Sequence, residues 1–487
     1  MDNLKEKTAN GLFWGLMNSG ITQFLNLVIG IFLARLLTPA DYGMVALIAV
    51  FYSVAQTLNE SGLGVALVNK KNATEVENNS IFAFNLVVAI ILYTTLFFCA
   101  PLIAKFFHEP ELAKLSRFMF ITIFFSVGIV PNAIMKKKLM VKERAILELI
   151  SLIVTGVVGI TLAYKGYSYW SLAWQNFIHG GILMVGTYYF ARWLPSMKFS
   201  FKPIKEMFGF SSKILITSLI NILNVNILSV IFGRLFNAST VGTYTQANKW
   251  NTMASNTIVS MTGQVSQPVF VSVNDDTERR IRVFRKMLRF TAFFAFPLMF
   301  GLALVSKEFI LITISDKWID SAVLLQILCI GGAFFCFHSL YQNLLISMGK
   351  SDVYMWINIF QMILNFALVY TCYKLGLIAV VIAFSSLYVV VLIAWQFMAN
   401  RYTGLKWMDV IKDICPFAII AAVTMLLTYF ITKSISNVYV LLISRIVIAA
   451  VIYYAIMRLL NVAILRECMT FVKSHFLGRM LKKQDRQ

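Results

Sequence analysis

The sequence predicts an all-α integral membrane protein. About fourteen transmembrane helices form two pseudo-symmetric six-helix lobes, with two more helices at the C-terminal end. Three observations predict this class. The 487 residues are 59% hydrophobic and 13% charged, whereas a soluble domain carries about 25% charge. Apolar runs long enough to cross about 30 Å of hydrocarbon recur from end to end. And one junction is written twice: "RLLTPADYG" from Arg35 and "RLFNASTVG" from Arg234, 199 residues apart, each lying between two apolar runs.

In chain order the predicted spans are 12–34, 43–66, 80–104, 115–134, 146–164, 169–191, 208–232, 242–268, 290–314, 321–346, 353–373, 377–398, 414–432 and 438–458. Backbone polar groups cannot stay unpaired in lipid, so the spans are helices or a closed barrel. Long apolar runs without alternation exclude the barrel. The first run, Gly11 to Leu37, exceeds a signal-peptide core and no small-residue cleavage site follows it, so it reads as a retained first helix. The predicted domains are 1–205, 206–405 and 406–487: an N-terminal lobe, a C-terminal lobe, and two added helices with a basic tail.

Basic residues set the orientation. Thirty of the 43 Lys and Arg fall in one set of loops and termini and ten in the opposite loops. This places both termini in the cytoplasm, as an even number of spans requires. The net charge of +21 is therefore mostly topology, dispersed over short loops, and a nucleic-acid partner is not expected. The connector "DDTERRIRVFRKMLRF" and the tail after Leu465 read as topological anchors that can lie on an anionic leaflet. The six cysteines have no metal or redox spacing, and no metal site is expected.

The echo extends past the junction. "YKG" at Tyr164 and "YKLG" at Tyr373 close spans 5 and 11, and "PNAIMKKK" at Pro131 faces "QNLLISMGK" at Gln342. Spans 1–6 and 7–12 thus read as parallel repeats about an axis along the membrane normal, an architecture that encloses a central site.

Polar residues inside spans are costly and mark cavities or interhelical contacts. They concentrate in the first two helices of each repeat, while spans 3, 6 and 12 read as far more apolar. Span 1 carries Gln23 and Asn26 in a stripe with Ser19 and Gly30. Span 2 carries Gln56 and Glu60, span 7 carries Lys213, Asn221 and Asn224, and span 8 carries Asn248, Lys249, Thr252 and Asn256. The simplest geometry sets these faces around a wet central cavity, with hydrogen bonding between helices as the alternative for any single amide. Lys249, seven residues past Gly242, lies roughly 10 Å deep at 1.5 Å per residue. An ammonium there needs water or an anionic partner. Glu60 is the one carboxylate well inside an early span, a proton or cation site or a lysine's partner. Arg35 and Arg234 stand at the outer mouth, as gate residues or interfacial anchors. Arg445 reads as a local ion pair or lipid contact, and His338 as a packed neutral histidine.

"RLLTPADYGMVAL", with "SGLGVALVNKKNATEVENNSIFAFNLVVAIILY" and "APLIAKFFHEPELAKLSRFM", resembles the Wzx-type polysaccharide flippases. These belong to a larger group that also holds the lipid II flippases and the MATE drug exporters. The resemblance covers spans 1–12. It implies two six-helix lobes moving undecaprenyl-diphosphate-linked oligosaccharide across the bacterial cytoplasmic membrane by alternating access, as a monomer, with polysaccharide polymerase and chain-length machinery as further partners. Lipid II flippases place cavity arginines in spans 1, 2 and 8. This chain has none within spans 1 and 2, and Lys249 alone stands in span 8, so such a site does not carry over. Membrane lipids are expected partners. No cofactor is expected, and a proton, sodium or the membrane potential acting on a charged cargo all stay open as the energy source. The competing reading is a MATE-like cation-coupled exporter of small amphipathic compounds. An enzyme is not expected: the outer loops are short, and the lone Asp-Asp pair, Asp275 and Asp276, sits in a basic connector.

Overall fold

The computed structural model describes residues 20–60, 62–70, 73–196, 198–273, 276–467 and 469–470, and no strand occurs among them. Helices lie over every predicted span, the first from Gly20 onward. Among the described residues eleven helical stretches, with Leu112–Lys137 taken as one, are long and apolar enough to cross a membrane. The other three are α1, described over Gly20–Leu36, and α8 (Tyr169–Ala191) and α10 (Ala238–Ser272), whose polar residues dilute their hydropathy. The remaining helices are α2 (Pro39–Glu60), α3 (Leu63–Asn69), α4 (Glu75–Phe107), α5 (Leu112–Phe120), α6 (Ile129–Lys137), α7 (Val141–Tyr164), α9 (Lys202–Leu235), α11 (Thr277–Thr313), α12 (Ile319–Ser347), α13 (Ser351–Cys372), α14 (Leu377–Thr403), α15 (Trp407–Thr432) and α16 (Val438–Leu459).

Two predicted helices are interrupted. Span 2 was expected to run through 43–66, but α2 ends at Glu60. Gly62 then takes φ +69°, a conformation that glycine reaches without strain, and α3 starts anew. Span 4, expected as one helix over 115–134, is α5, a 3₁₀ segment over Ile121–Gly128, and α6. Eight residues is long for this tighter helix. Its causes are local and tertiary. Thr122 and Ser126 donate back to the carbonyls of Met119 and Ile123, three residues earlier, both at 2.5 Å. Asn59 of α2 donates to Ile123 O and to Ser126 Oγ. Pro131 has no N–H to offer the carbonyl of Val127, and Tyr188 Oη donates to that carbonyl instead at 3.1 Å.

The twice-written junction caps two helices by complementary means. Thr38 is the N-cap of α2 and Asp41 its N3 residue. Thr38 N and Oγ1 donate to Asp41 Oδ2 at 2.8 and 2.7 Å, and Asp41 N donates to Thr38 Oγ1 at 3.4 Å, a complete capping box. In the second copy the N-cap is Asn237, whose Oδ1 accepts from Thr240 N and Oγ1 at 2.9 and 3.0 Å. The two helix starts cross. A Cβ on Gly43 would meet the carbonyl group of Ala238, with the carbon at 2.5 Å. A Cβ on Gly242 would meet that of Pro39, with the carbon at 2.7 Å. Gly43 and Gly242 occupy equivalent positions in the repeat, as do Pro39 and Ala238, so the contact is the same from both sides.

Contacts divide the chain into a first unit, Met1–Thr245, and a second, Gln246–Gln487. In the first, α9 packs on α2, α3 and α4, which is why the packing boundary falls in α10 rather than where the sequence repeat begins. In the second, α11 packs on α12, α15 and α16, and α14 on α12 and α13. The added helices are tied on by charge. Arg285 Nε bonds Asp413 Oδ2 at 2.6 Å, and Arg445 Nη1 lies 2.8 Å from Glu308 Oε2 with both side chains buried. Arg445 therefore makes the local ion pair. His338 is buried, its Nε2 2.9 Å from Tyr388 O.

Candidate functional site

The amphipathic inner half of α2 builds one wall of a hollow in the first unit. Tyr52, Ser53, Gln56 and Glu60 recur at helical spacing and line it. The 3₁₀ segment supplies Thr122 and Ser126, α6 supplies Asn132 and Lys136, and α8 supplies Asn176, His179 and Thr187. The volume is about 630 Å³, within the ~300–1,000 Å³ of small-ligand sites. It reaches from Ala49 and Met119 to the lysine-rich end of the unit, where Val68 and Lys136 stand.

The lining is mixed in charge. Gln56 Nε2 donates to Glu60 Oε1 at 3.3 Å, so the amide steadies the carboxylate. Ser53 Oγ donates to its own helix at Ala49 O, 2.7 Å, leaving its lone pairs for a guest. His179 Nδ1 is 2.7 Å from Ser151 Oγ, and its Nε2 is 4.0 Å from Glu148 Oε1. A second hollow, of about 490 Å³, lies between α1 and α7 and is lined by Thr22, Gln23, Arg144 and Glu148. It shares Asn132, Leu183 and Thr187 with the first. Amides, hydroxyls and carboxylates facing such a space suit hydroxyl-rich cargo, and the two basic side chains at the same end suit an anion.

Of the residues expected at a central cavity, Gln56 and Glu60 line the first hollow and Gln23 the second. Asn26 is exposed on α1; Asn221 is half-buried and Asn224 buried on α9. The side chain of Lys213, also on α9, lies outside the described residues. In the second unit Asn248, Lys249 and Thr252 are half-buried and Asn256 is exposed, with Lys249 Nζ 5.9 Å from the Trp250 ring centroid. Arg35 is exposed at the end of α1. Arg234 is committed to α4: its Nη1 donates to Phe106 O at 2.9 Å, and the guanidinium lies 5.2 Å from the Phe106 ring centroid.

Span 6 is a correction. Read as far more apolar, its helix α8 delivers Asn176, His179 and Thr187 to the hollow on one face. Their spacing of 3 and 8 residues was the signal, diluted by the apolar residues between them. Ser126, Asn132, Lys136 and Arg144 were also not singled out. Asn132 and Lys136, four apart, share a helix face, but that stripe sat inside a loop-side lysine cluster.

Helices of membrane-crossing length and apolarity, with polar hollows among them, define a multi-pass helical membrane protein. The solved structure titled "Lipid II flippase MurJ, inward closed conformation" is similar, with TM-score 0.78 and 16% identity, covering 92% of this chain and 100% of that one. The model of the polysaccharide biosynthesis protein family matches residues 32–323, and the chain belongs to that family. It is 25% identical to the lipopolysaccharide biosynthesis protein WzxC of Escherichia coli (strain K12) over 74% of each chain. It is also 25% identical to the succinoglycan biosynthesis transport protein ExoT of Rhizobium meliloti (strain 1021), over 85% of this chain and 82% of that one. The expected resemblance to the Wzx-type proteins of polysaccharide synthesis holds.

Proposed function

We propose that the protein is a flippase for an oligosaccharide carried on undecaprenyl diphosphate. It takes the lipid-linked repeat unit from the inner leaflet of a bacterial cytoplasmic membrane and releases it to the outer leaflet by alternating access. The observation that carries this reading is the hollow of the first unit: amides, hydroxyls and a carboxylate held inside an apolar bundle, with bases at one end. Such a lining solvates a sugar head group that lipid cannot, while the polyprenyl tail stays in lipid. The transport assignments in the names of the relatives point the same way.

On this reading the lysine-rich end faces the cytoplasm, both termini are cytoplasmic, and the protein acts as a monomer that makes and breaks no covalent bond. A polysaccharide polymerase with its chain-length machinery receives the product. The test is complementation. In a strain lacking its own repeat-unit flippase, expression restores surface polysaccharide. Membrane-inserted protein at normal level without restoration, across strains with chemically different repeat units, overturns the proposal.

A further inference from the structure

We infer that Lys136 and Arg144 form a phosphate-binding mouth for the hollow of the first unit. The site takes a diphosphate ester with its sugar directed toward Gln56, Glu60 and Asn132. The inference rests on the flippase reading and assigns the anion site to the junction of α6 and α7.

Five basic residues cluster there: Lys136, Lys137, Lys138, Lys142 and Arg144. Topology alone treats them as equals, but the structure does not. Gly128, Asn132 and Lys136 fall four apart on one face of the segment and line the first hollow. Lys137 and Lys138 are turned about 100° further per residue. They line a separate hollow of about 370 Å³ with Leu67 and Asn78. Arg144 begins a stripe on α7, followed by Leu147 and Glu148, that lines the second hollow. Asn132 and Thr187 belong to both spaces, so the two basic side chains flank one shared wall.

Other bases at this end are already paired. Lys70 at the same end is held by Glu77 at 2.5 Å, and Lys198 by Glu75 at 3.8 Å. Lys136 and Arg144 have no side-chain hydrogen bond and no ion pair within 4 Å among the described residues. A base facing a polar cavity without a protein counter-charge at contact is set to receive an anion. The carboxylates give the site its direction. Glu60 and Glu148 repel a phosphate placed deeper and accept hydrogen bonds from sugar hydroxyls, so the anion stops at the mouth and the glycan extends inward.

The test uses the full chain in lipid vesicles with its native cysteines replaced and a reporter, Thr187→Cys, on the shared wall. Maleimide labelling is followed with geranylgeranyl diphosphate, inorganic pyrophosphate, geranylgeraniol or added phosphatidylglycerol as probe. Geranylgeranyl diphosphate slows labelling by at least about tenfold, and pyrophosphate slows it at higher concentration. Geranylgeraniol and phosphatidylglycerol do not. Lys136→Gln with Arg144→Gln abolishes the protection, Lys136→Arg keeps it, and Lys137→Gln with Lys138→Gln leaves it intact although it removes the same charge. Absent protection, equal loss in the two glutamine pairs, or equal protection by phosphatidylglycerol overturns the inference. Export separates the two claims. If the wild type restores polysaccharide and the Lys136/Arg144 pair does so equally well, only the mouth is wrong. If the wild type fails, the flippase reading falls.

Discussion

Adding one methyl group at Gly43 tests the crossing of α2 and α10. A Cβ there stands 2.5 Å from the carbonyl carbon of Ala238, against about 3.5–4.0 Å for ordinary carbon contacts. The obstacle is backbone inside a capped helix start, so no side chain can swing away, and the helices must part by at least about 1 Å. Overpacking of this kind costs about 1–3 kcal/mol. At about 2–4 °C per kcal/mol for a body of this size, Gly43→Ala lowers the unfolding temperature by roughly 2–12 °C. Gly242→Ala, blocked by Pro39 in the same way, behaves alike. The double variant loses less than the sum, because the first methyl has already parted the helices. Gly209 provides the control: it is helical with nothing within 4 Å. There the same substitution gains up to about 1 kcal/mol of helix propensity. Thermal unfolding in one detergent, followed by tryptophan fluorescence, reads all four proteins. A Gly43→Ala protein as stable as Gly209→Ala would refute the close crossing.

Three further outcomes follow from the packing and charge of both units. Glu308→Gln leaves the Arg445 guanidinium buried beside a neutral partner and costs about 3–5 kcal/mol; replacing both residues by leucine recovers most of that in the same thermal assay. At the lysine-rich end, burial pushes the Glu77 carboxyl up, but bonds from Lys70 and from Thr74 N and Oγ1 outweigh it and hold it below its ordinary value. A depressed carboxylate contributes stability above its unfolded pKa and loses it as pH falls through the folded value; stability therefore declines below about pH 4.5, and Glu77→Gln, less stable at neutral pH, shows a shallower acid decline. In the second unit, Lys249→Glu abolishes restored polysaccharide export while Lys249→Arg retains part of it, and full export by Lys249→Glu, at matched protein level, contradicts the expectation that this half-buried base faces a wet cavity.

The spans were legible because apolar length is a local property, and among the described residues eleven stretches are long and apolar enough to cross a membrane. What hydropathy could not register was interruption. The 3₁₀ stretch over Ile121–Gly128 depends on Asn59 and Tyr188, which are distant in sequence. The duplicated junction was visible as text, but its use was not: only the folded chain brings Gly43 to Ala238 and Gly242 to Pro39. The site shows the same limit. Gln56 and Glu60 declared themselves by polarity in a lipid-length run, whereas Lys136 was hidden among identical neighbours. Residues one apart on a helix point about 100° apart, and which of three adjacent lysines faces a hollow depends on how α6 seats against α3 and α8.

The most direct test of the flippase account is leaflet exchange in a purified system. Proteoliposomes carry a fluorescent sugar on a short polyprenyl diphosphate, and a membrane-impermeant quencher is added outside. The account predicts that protein raises the quenchable fraction from about half, the outer-leaflet share, toward completion, and that Lys136→Gln with Arg144→Gln returns it to about half. Quenching that stops at the protein-free level with wild-type protein would contradict it.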